Sequence, residues 1–283
     1  MKSCIIFSCS VFDNTRLFVL HQFMQTFKNH YSDCDIYIGI NPGSVPTVIN
    51  IIDSYNLNTI IEHVPIHLYS ESDASGYQSA LHKLLISNKT YANYWFVHTK
   101  SGVNSHSDYL RDWYNNVFLS DRNTIEDFLS QYTNIGSYGM LGVEFDKNRE
   151  YSERDSGFDI IKNTITSNLP CTHANFFYLH SIYVITHKSI ELFLKLANTN
   201  DWFNTKLDRY YFEGIFPFIV SRSGSYPYIA NQLSCNGLDL KILMTDWITD
   251  NNLLQYNKYN DMYKTNFTFN QLYPPYVNSN TQS

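Results

Sequence analysis

Residues 35–44 read DIYIGINPGS, an apolar run that stops at Asn41 and a Pro-Gly pair. A run this short, rich in β-branched residues and closed by turn residues, predicts a buried strand rather than a helix. Pro46 then stands where the first turn of a helix tolerates proline, and an apolar face follows from Val48 to Tyr55. The stretch therefore predicts a strand that leads directly into a helix.

The same alternation extends along the chain in both directions. Before the quoted stretch, Cys4–Ser10 predicts a strand, and apolar residues at helical spacing between Leu17 and Phe27 predict a helix. After it, Thr59–Val64 predicts a strand, Tyr77–Leu85 a helix, and Tyr94–Val97 a fourth strand. Alternating strands and helices predict right-handed βαβ units. We therefore expect an α/β fold with a mostly parallel central sheet flanked by helices, in a single domain.

The second half of the chain is less regular. The sequence predicts a helix over 110–118, a helix that begins with a capping box at Thr124-x-x-Asp127, and a strand at Tyr138–Val143. Further on, a strand at Phe177–Thr186 and two helices are predicted, and Pro217 should kink or end the second of these helices.

The expected domain covers residues 1–252, with a nucleotide-binding half over about 1–102 and an acceptor half over about 103–252. The polar stretch 147–170 reads as a loop over a site. Residues 253–283 are rich in Asn, Tyr and Pro, which predicts a C-terminal extension, disordered in part.

Composition excludes several classes of function. The net charge is −6, with only 20 Lys and Arg in the chain. We therefore expect the protein to bind neither nucleic acid nor an anionic membrane. The five cysteines are widely spaced without a CxxC pair, which indicates reduced thiols. The N-terminus lacks the pattern of a signal peptide, and no apolar run is long enough for a transmembrane helix. We therefore expect a cytoplasmic protein, in the host cytoplasm if the source is a virus.

The order of the segments resembles the GT-A glycosyltransferases over roughly Cys4 to Tyr228. Ile40–Ser44 is similar to the family's turn after the second strand, Ser75–Ala80 to its Gly and Ala-containing helix, and Tyr94–Lys100 to its strand before an Asp-x-Asp segment. With the Tyr-Phe-Glu-Gly segment at 211–214, the chain resembles more narrowly the rhamnan-synthesis type of polysaccharide glycosyltransferase. The resemblance implies a GT-A-like Rossmann-type fold, a nucleotide-sugar donor, a glycan or other hydroxyl acceptor, and inverting transfer.

This chain departs from the family at His98-Thr-Lys100, where the metal-binding carboxylates would stand. Hard divalent ions prefer carboxylate oxygens, which are missing here. Lys100 is the candidate for holding the charge of the leaving diphosphate, and His98 for donating a hydrogen bond to phosphate. Mn²⁺ or Mg²⁺ is compatible with the resemblance, but we do not expect the enzyme to require either. The alternative for Lys100 is an ordinary surface lysine, and the alternative for His98 is a histidine that only hydrogen-bonds backbone at the end of a strand.

Other candidate residues for donor binding are Ser8 and Asn41, at the ends of the first two strands, and Asp73, Ser75 and Gly76 before and within the third helix. Gly76 would permit close approach of the backbone to the ligand. An ordinary helix N-cap explains Asp73 or Ser75 equally well.

Inverting transfer requires a base that accepts the proton of the acceptor hydroxyl. The resemblance points to Glu213 for this role, although the second acid of the family's motif is missing. Asp208 and Glu144 are the reserve candidates, and a Glu that merely stabilises a helix N-terminus is the alternative.

Two other interpretations stay open. His106, Asp108, Arg111 and Asp112 could contact sugar hydroxyls, but a solvated helix face explains them better. The whole domain could also be a catalytically inactive relative that binds glycan or protein. A nucleotidyltransferase is disfavoured because Ser8–Arg16 contains no glycine for a phosphate loop. The oligomeric state is open.

Overall fold

A computed structural model describes residues 1–99, 108–144, 176–178, 181–207, 211–223 and 225–234. Its strands join one eight-stranded sheet in the order β3-β2-β1-β4-β7-β5-β6, with β8 paired to β5. The strands are β1 (Cys4–Cys9), β2 (Asp35–Ile40), β3 (Thr59–His63), β4 (Asn93–His98), β5 (Ile135–Glu144), β6 (Phe176–Tyr178), β7 (Tyr183–Thr186) and β8 (Tyr226–Ser234).

Most neighbouring strands run in the same direction. β1 is parallel to β2 and to β4, β2 is parallel to β3, and β8 is parallel to β5. β7 is antiparallel to both β4 and β5, and β6 is antiparallel to β5. Only β6 and β7 therefore oppose the common direction among the described strands. The expected α/β class with a mostly parallel sheet is confirmed.

Helices cover both faces of this sheet. They are α1 (Leu17–His30), α2 (Thr47–Ser54), α3 (Asp73–Ser87), α4 (Asp108–Trp113), α5 (Arg122–Gln131), α6 (His187–Thr199) and α7 (Tyr211–Arg222). A π-helical turn, Tyr114–Phe118, continues α4. Buried residues of α1, α2 and α5 share a core with Ile5 and Phe7, whereas those of α3, α6 and α7 share a core with Cys4 and Ile6. This division follows from the alternation of side chains along β1.

The sequence places the elements of the first half correctly to within about one residue of each strand end. Two expectations for the helices of the second half are wrong. The helix predicted to start at Thr124 begins at Arg122, so Thr124 lies inside α5 and caps nothing. The early end predicted at Pro217 is wrong, because α7 continues to Arg222. The alternative, a kink at Pro217, stays a prediction.

Arg122 explains the earlier start of α5. Its guanidinium donates to Asp33 Oδ1 at 2.5 Å and Oδ2 at 3.1 Å, to the His30 carbonyl at 2.8 Å, and to Glu126 Oε1 at 2.9 Å. A bidentate contact of this kind fixes both position and orientation. The first residue of α5 is thus fastened to the end of α1, which sequence spacing could not reveal.

The predicted strand Phe177–Thr186 is in fact two strands, β6 and β7. Both run along the same side of β5, because β8 occupies the other side. Between them, Ser181 is buried with φ at 52°, a left-handed conformation that interrupts a strand.

Three cysteines are buried as free thiols within or beside the first two strands: Cys4, Cys9 and Cys34. Burial raises the pKa of Cys9 to about 12, and burial is also the main cause that raises the pKa of Cys34 to about 12. These thiols are therefore uncharged near neutral pH and serve as small apolar residues of the core. Cys171 and Cys235 lie outside the described residues.

Candidate active site

The winding direction of the chain reverses between β1 and β4. From β1 the chain moves outward through β2 to β3, and then α3 carries it back to β4 on the other side of β1. Ligands of open α/β sheets bind at the carboxyl ends of the strands at such a reversal. Ser8 pairs with His98 across these two strands, so His98 stands at the carboxyl edge beside the end of β1.

Thr99 joins the ends of β1 and β4. Its amide donates to the Ser8 carbonyl at 3.1 Å, and its hydroxyl accepts from the Ser10 amide at 2.8 Å and donates to the Ser10 carbonyl at 3.1 Å. With 5% of its surface exposed, Thr99 serves to hold the two strand ends together. Lys100 follows it directly in the chain but lies outside the described residues.

Asn41 connects the end of β2 to β1 and to α3. Its amide nitrogen donates to Ser10 Oγ at 2.5 Å and to the Ser72 carbonyl at 3.2 Å, and its oxygen accepts from Ser75 Oγ at 3.0 Å. Asn41 and Ser75 are both buried. Their polar groups are thus engaged within the protein, and contact of either side chain with a ligand stays a prediction.

Helix α3 lies directly on the sheet at Gly76. A Cβ added there would lie 2.1 Å from Ser8 Oγ, and a Cβ added at Gly39 would lie 1.9 Å from the Gly76 carbonyl oxygen. Ser8 is fully buried under the helix, and its hydroxyl has no hydrogen-bond partner among the described residues. Packing accounts for Ser8 and Gly76 in this geometry. Their predicted role in donor binding stays a prediction.

The N-terminus of α3 meets the same edge of the sheet. Ser72 caps the helix, accepting from the Ala74 amide at 3.2 Å, and Glu71 before it is left-handed with φ at 57°. The hydrogen bonds of Asn41 to Ser72 and Ser75 bring this first turn against the ends of β1 and β2. Asp73, half-buried, adds a carboxylate to the positive end of the helix dipole.

His98 is half-buried at the end of β4, and its ring lies edge-on to Tyr77 of α3 with the ring centroids 6.3 Å apart. The structure thus gathers His98, Asn41, Ser75, Asp73 and the turn at Ser72 at one edge. It brings together most of the predicted donor-binding residues that it describes.

A charged cluster joins Asp108 and Arg111 of α4 to Arg16, a contact that the sequence did not indicate. The carboxylate of Asp108 accepts from Arg111 Nη1 at 2.5 Å and from both terminal nitrogens of Arg16, of which Nη1 lies at 3.1 Å. Arg111 Nη2 also donates to Asp112 at 2.9 Å. Both guanidinium carbons lie over the Phe18 ring, at 4.8 Å for Arg16 and 5.2 Å for Arg111.

This cluster corrects the interpretation of Arg111 as part of a solvated helix face, because Arg111 is only 2% exposed, whereas Asp108 and Asp112 are partly exposed. His106 lies outside the described residues. Burial alone would raise the pKa of Asp108, but the hydrogen bonds from Arg16 and Arg111 outweigh it and lower this pKa. The i,i+3 spacing of Asp108 and Arg111 was visible in the sequence. The contact with Arg16, 92 residues away, was not.

The residues predicted to serve as the base belong to the second half of the chain. Glu213 is the third residue of α7, and Asp208 lies outside the described residues. Phe212, next to Glu213, is buried with its ring centroid 5.1 Å from that of Tyr77, and its carbonyl accepts from the Tyr183 hydroxyl at 2.8 Å. Tyr77 therefore contacts both Phe212 and His98, and links the two halves.

The donors at the end of β4 do not fit a hard divalent ion. His98 and Thr99 bring no carboxylate, and the described ranges contain no group of three or more His, Cys, Asp or Glu residues placed to hold a metal. The same ranges contain no helix with both the length and the apolar character to cross a membrane.

No protein-family model matches this sequence, and no curated protein matches it significantly. Among solved structures, the chain is similar to core-mannan synthase A from Aspergillus fumigatus in its Mn/GDP form, with 10% identity and a TM-score of 0.42. That match covers 77% of this chain and 70% of the synthase. A likeness this distant supports no conclusion about the activity of this protein.

Proposed function

We propose that this protein is a nucleotide-sugar-dependent glycosyltransferase that transfers a sugar to a glycan or another hydroxyl acceptor. The supporting observation is the position of His98 at the reversal between β1 and β4, at the sheet edge that the N-terminal turn of α3 meets through Asn41. Such a reversal is where α/β sheets bind nucleotides, and helix N-termini favour phosphate. The transfer reaction rests on the resemblance of the segments around Ile40–Ser44, Ser75–Ala80 and Tyr94–Lys100 to glycosyltransferases.

In this proposal the diphosphate of the donor lies against His98 and Lys100. The departing diphosphate gains negative charge in the transition state, so a fixed cation beside it accelerates the reaction. Lys100 follows the anchored Thr99 and supplies that cation, while His98 donates a hydrogen bond. Since the strand end offers no carboxylate pair, donor binding does not require Mn²⁺ or Mg²⁺.

Glu213 is the proposed base for the acceptor hydroxyl, with Asp208 in reserve. A carboxylate accepts the proton as the hydroxyl oxygen attacks the anomeric carbon and the diphosphate leaves from the opposite face, which inverts the configuration. The packing of Phe212 against Tyr77 supports this assignment, because it puts the start of α7 next to the residue that faces His98.

A nucleotide titration tests the proposal. UDP, GDP, ADP, CDP and dTDP are titrated into the protein by calorimetry with EDTA present, and the sugar nucleotide of the best binder is then assayed for hydrolysis and transfer. We expect one nucleoside diphosphate to bind, and His98→Ala to weaken it about tenfold, the effect of roughly one hydrogen bond to a charged group. His63→Ala is the matched control, since His63 ends β3 away from the reversal and is exposed.

The outcomes separate the alternatives. If none of these nucleotides binds either with EDTA or with Mn²⁺ present, the proposal is wrong. Binding without hydrolysis or transfer of any sugar nucleotide would favour the inactive binding domain. Affinity that EDTA abolishes and Mn²⁺ restores would refute metal independence alone.

A further inference from the structure

Gln78 of α3 holds the segment that precedes the proposed acceptor base. Its amide nitrogen donates to the Trp202 carbonyl at 2.7 Å and to the Thr205 carbonyl at 2.8 Å, so both of its N–H groups are used on one short stretch of chain. Gln78 is 1% exposed and Trp202 is 2% exposed. A buried amide with both donors committed fixes the position of the backbone it contacts.

The same helix holds the donor side one turn earlier. Ser75, three residues before Gln78, donates to Asn41 at the end of β2, and Ser72 accepts from Asn41. A short part of α3 is therefore hydrogen-bonded to the strand ends at one end and to the 202–205 segment at the other. The two halves of the proposed site are held at a fixed distance by one rigid element.

The contacts of Tyr77 lie between these two anchors. Its ring is edge-on to His98 and to Phe212, and its hydroxyl donates to the Ser181 carbonyl at 2.6 Å. The Trp202 ring also lies near Phe212, with the ring centroids 5.9 Å apart. The segment that Gln78 holds is thus packed against the residue that precedes Glu213.

We propose that Gln78 is a positioning residue for sugar transfer, which sets the place of the acceptor base relative to the bound donor. This inference rests on the proposed function and adds a residue that neither the sequence pattern nor the resemblance indicated. Gln78 acts through the 202–205 backbone and contacts neither substrate. A displacement of about 1 Å between reacting groups can cost roughly 10²-fold in rate, so the loss of this anchor affects transfer while the donor site stays formed.

The test uses Gln78→Met, which keeps most of the side-chain volume and removes both N–H donors. Melting is measured first. Gln78→Asn, which keeps the amide on a shorter stem, replaces it if the first variant does not fold. The control is Asn115→Leu. Asn115 is also a buried amide, and its nitrogen donates to the Arg111 carbonyl at 3.0 Å. The side-chain oxygens of Asn115 and Gln78 both lack a hydrogen-bond partner among the described residues.

We expect Gln78→Met to lower kcat for transfer by roughly 10- to 10²-fold, with the dissociation constant of the nucleotide and the rate of donor hydrolysis by water nearly unchanged. Asn115→Leu should change none of these at equal stability. In a Glu213→Gln background, Gln78→Met should have little further effect on transfer, because both substitutions disable the same step.

Two results would overturn the inference in distinguishable ways. The first requires a wild-type enzyme that transfers sugar. The positioning role alone is refuted if the folded Gln78 variant transfers sugar equally well, or if its nucleotide affinity falls in proportion to its transfer rate. A wild-type protein that neither binds nucleotide nor transfers sugar would refute the proposed function and this inference with it.

Discussion

Replacing Gly76 with alanine tests whether this glycine serves packing or ligand binding. The added Cβ would lie 2.1 Å from Ser8 Oγ, 2.8 Å from Ser8 Cβ and 3.0 Å from Ser8 Cα. Rotation of the Ser8 hydroxyl relieves only the first contact. The other two involve atoms fixed to β1, so α3 or the strand has to move.

The expected magnitude combines two opposing effects. Overpacking of a well-packed site costs about 1–3 kcal/mol, and contacts with fixed atoms put Gly76→Ala at the upper end of that range. Alanine is about 1 kcal/mol better than glycine inside a helix. We therefore expect a net destabilisation of about 2 kcal/mol from these two principles. Ser8→Ala alone should be nearly neutral, because it removes a buried hydroxyl that has no partner among the described residues.

The assay is urea unfolding of the wild type, both single variants and the double variant, with the nucleotide dissociation constant measured for each. Ser8→Ala should recover about 1 kcal/mol of the loss in the Gly76→Ala background, a coupling expected of residues in contact. If Gly76→Ala is instead as stable as the wild type but binds nucleotide weakly, the packing explanation fails. Gly76 would then face the ligand.

Lys100→Met keeps the aliphatic stem and removes the charge, so transfer should slow by about 10²- to 10³-fold at an unchanged melting temperature; a near-normal rate in steady-state kinetics would contradict the role of Lys100. Glu213→Gln should lower turnover by roughly 10²-fold or more with nucleotide affinity unchanged, and survival of activity there, with loss in Asp208→Asn, would transfer the role to Asp208. The hydrogen bond from Arg122 lowers the pKa of Asp33 in the folded protein. The stability that this ion pair contributes is therefore fully present above the pKa of an unfolded Asp, about 4, and is lost as the pH falls through the lower pKa of Asp33 in the folded state. Asp33→Asn should accordingly be less stable than the wild type in urea at pH 7, by a margin that narrows near pH 3; a constant margin would count against the ion pair.

The first half of the fold could be predicted because its signals are local. The strand at Asp35–Ile40 and the helix at Leu17–His30 each carry an unbroken hydrophobic period, and short connections leave few ways to arrange them. The second half depends on contacts between distant residues. Arg122 begins α5 because Asp33 holds it, and α7 continues past Pro217 while Ile215, Phe216 and Ile219 are buried in the core.

The sequence could indicate where on the sheet the candidate site lies, but it could indicate the contacts of the site's residues only in part. Asn41 follows β2 and His98 ends β4, and these positions indicated the carboxyl edge of the sheet as the candidate site. The sequence could not show that the Asn41 amide is engaged by Ser10, Ser72 and Ser75, nor that Arg111 is buried against Asp108. Side-chain partners of this kind come from elements far apart in the chain, and one sequence holds no record of them.

The buried thiols of Cys4, Cys9 and Cys34 make it possible to measure how often the folded protein opens. The thiolate is the form of cysteine that reacts with alkylating reagents. Burial keeps these three sulfurs both protonated and out of contact with solvent. Their modification has to wait until β1 and its neighbours separate. The rate at which iodoacetamide labels these three positions, followed by peptide mass spectrometry, therefore reports how often the centre of the sheet opens, and a bound nucleotide that holds the strand ends together would slow it.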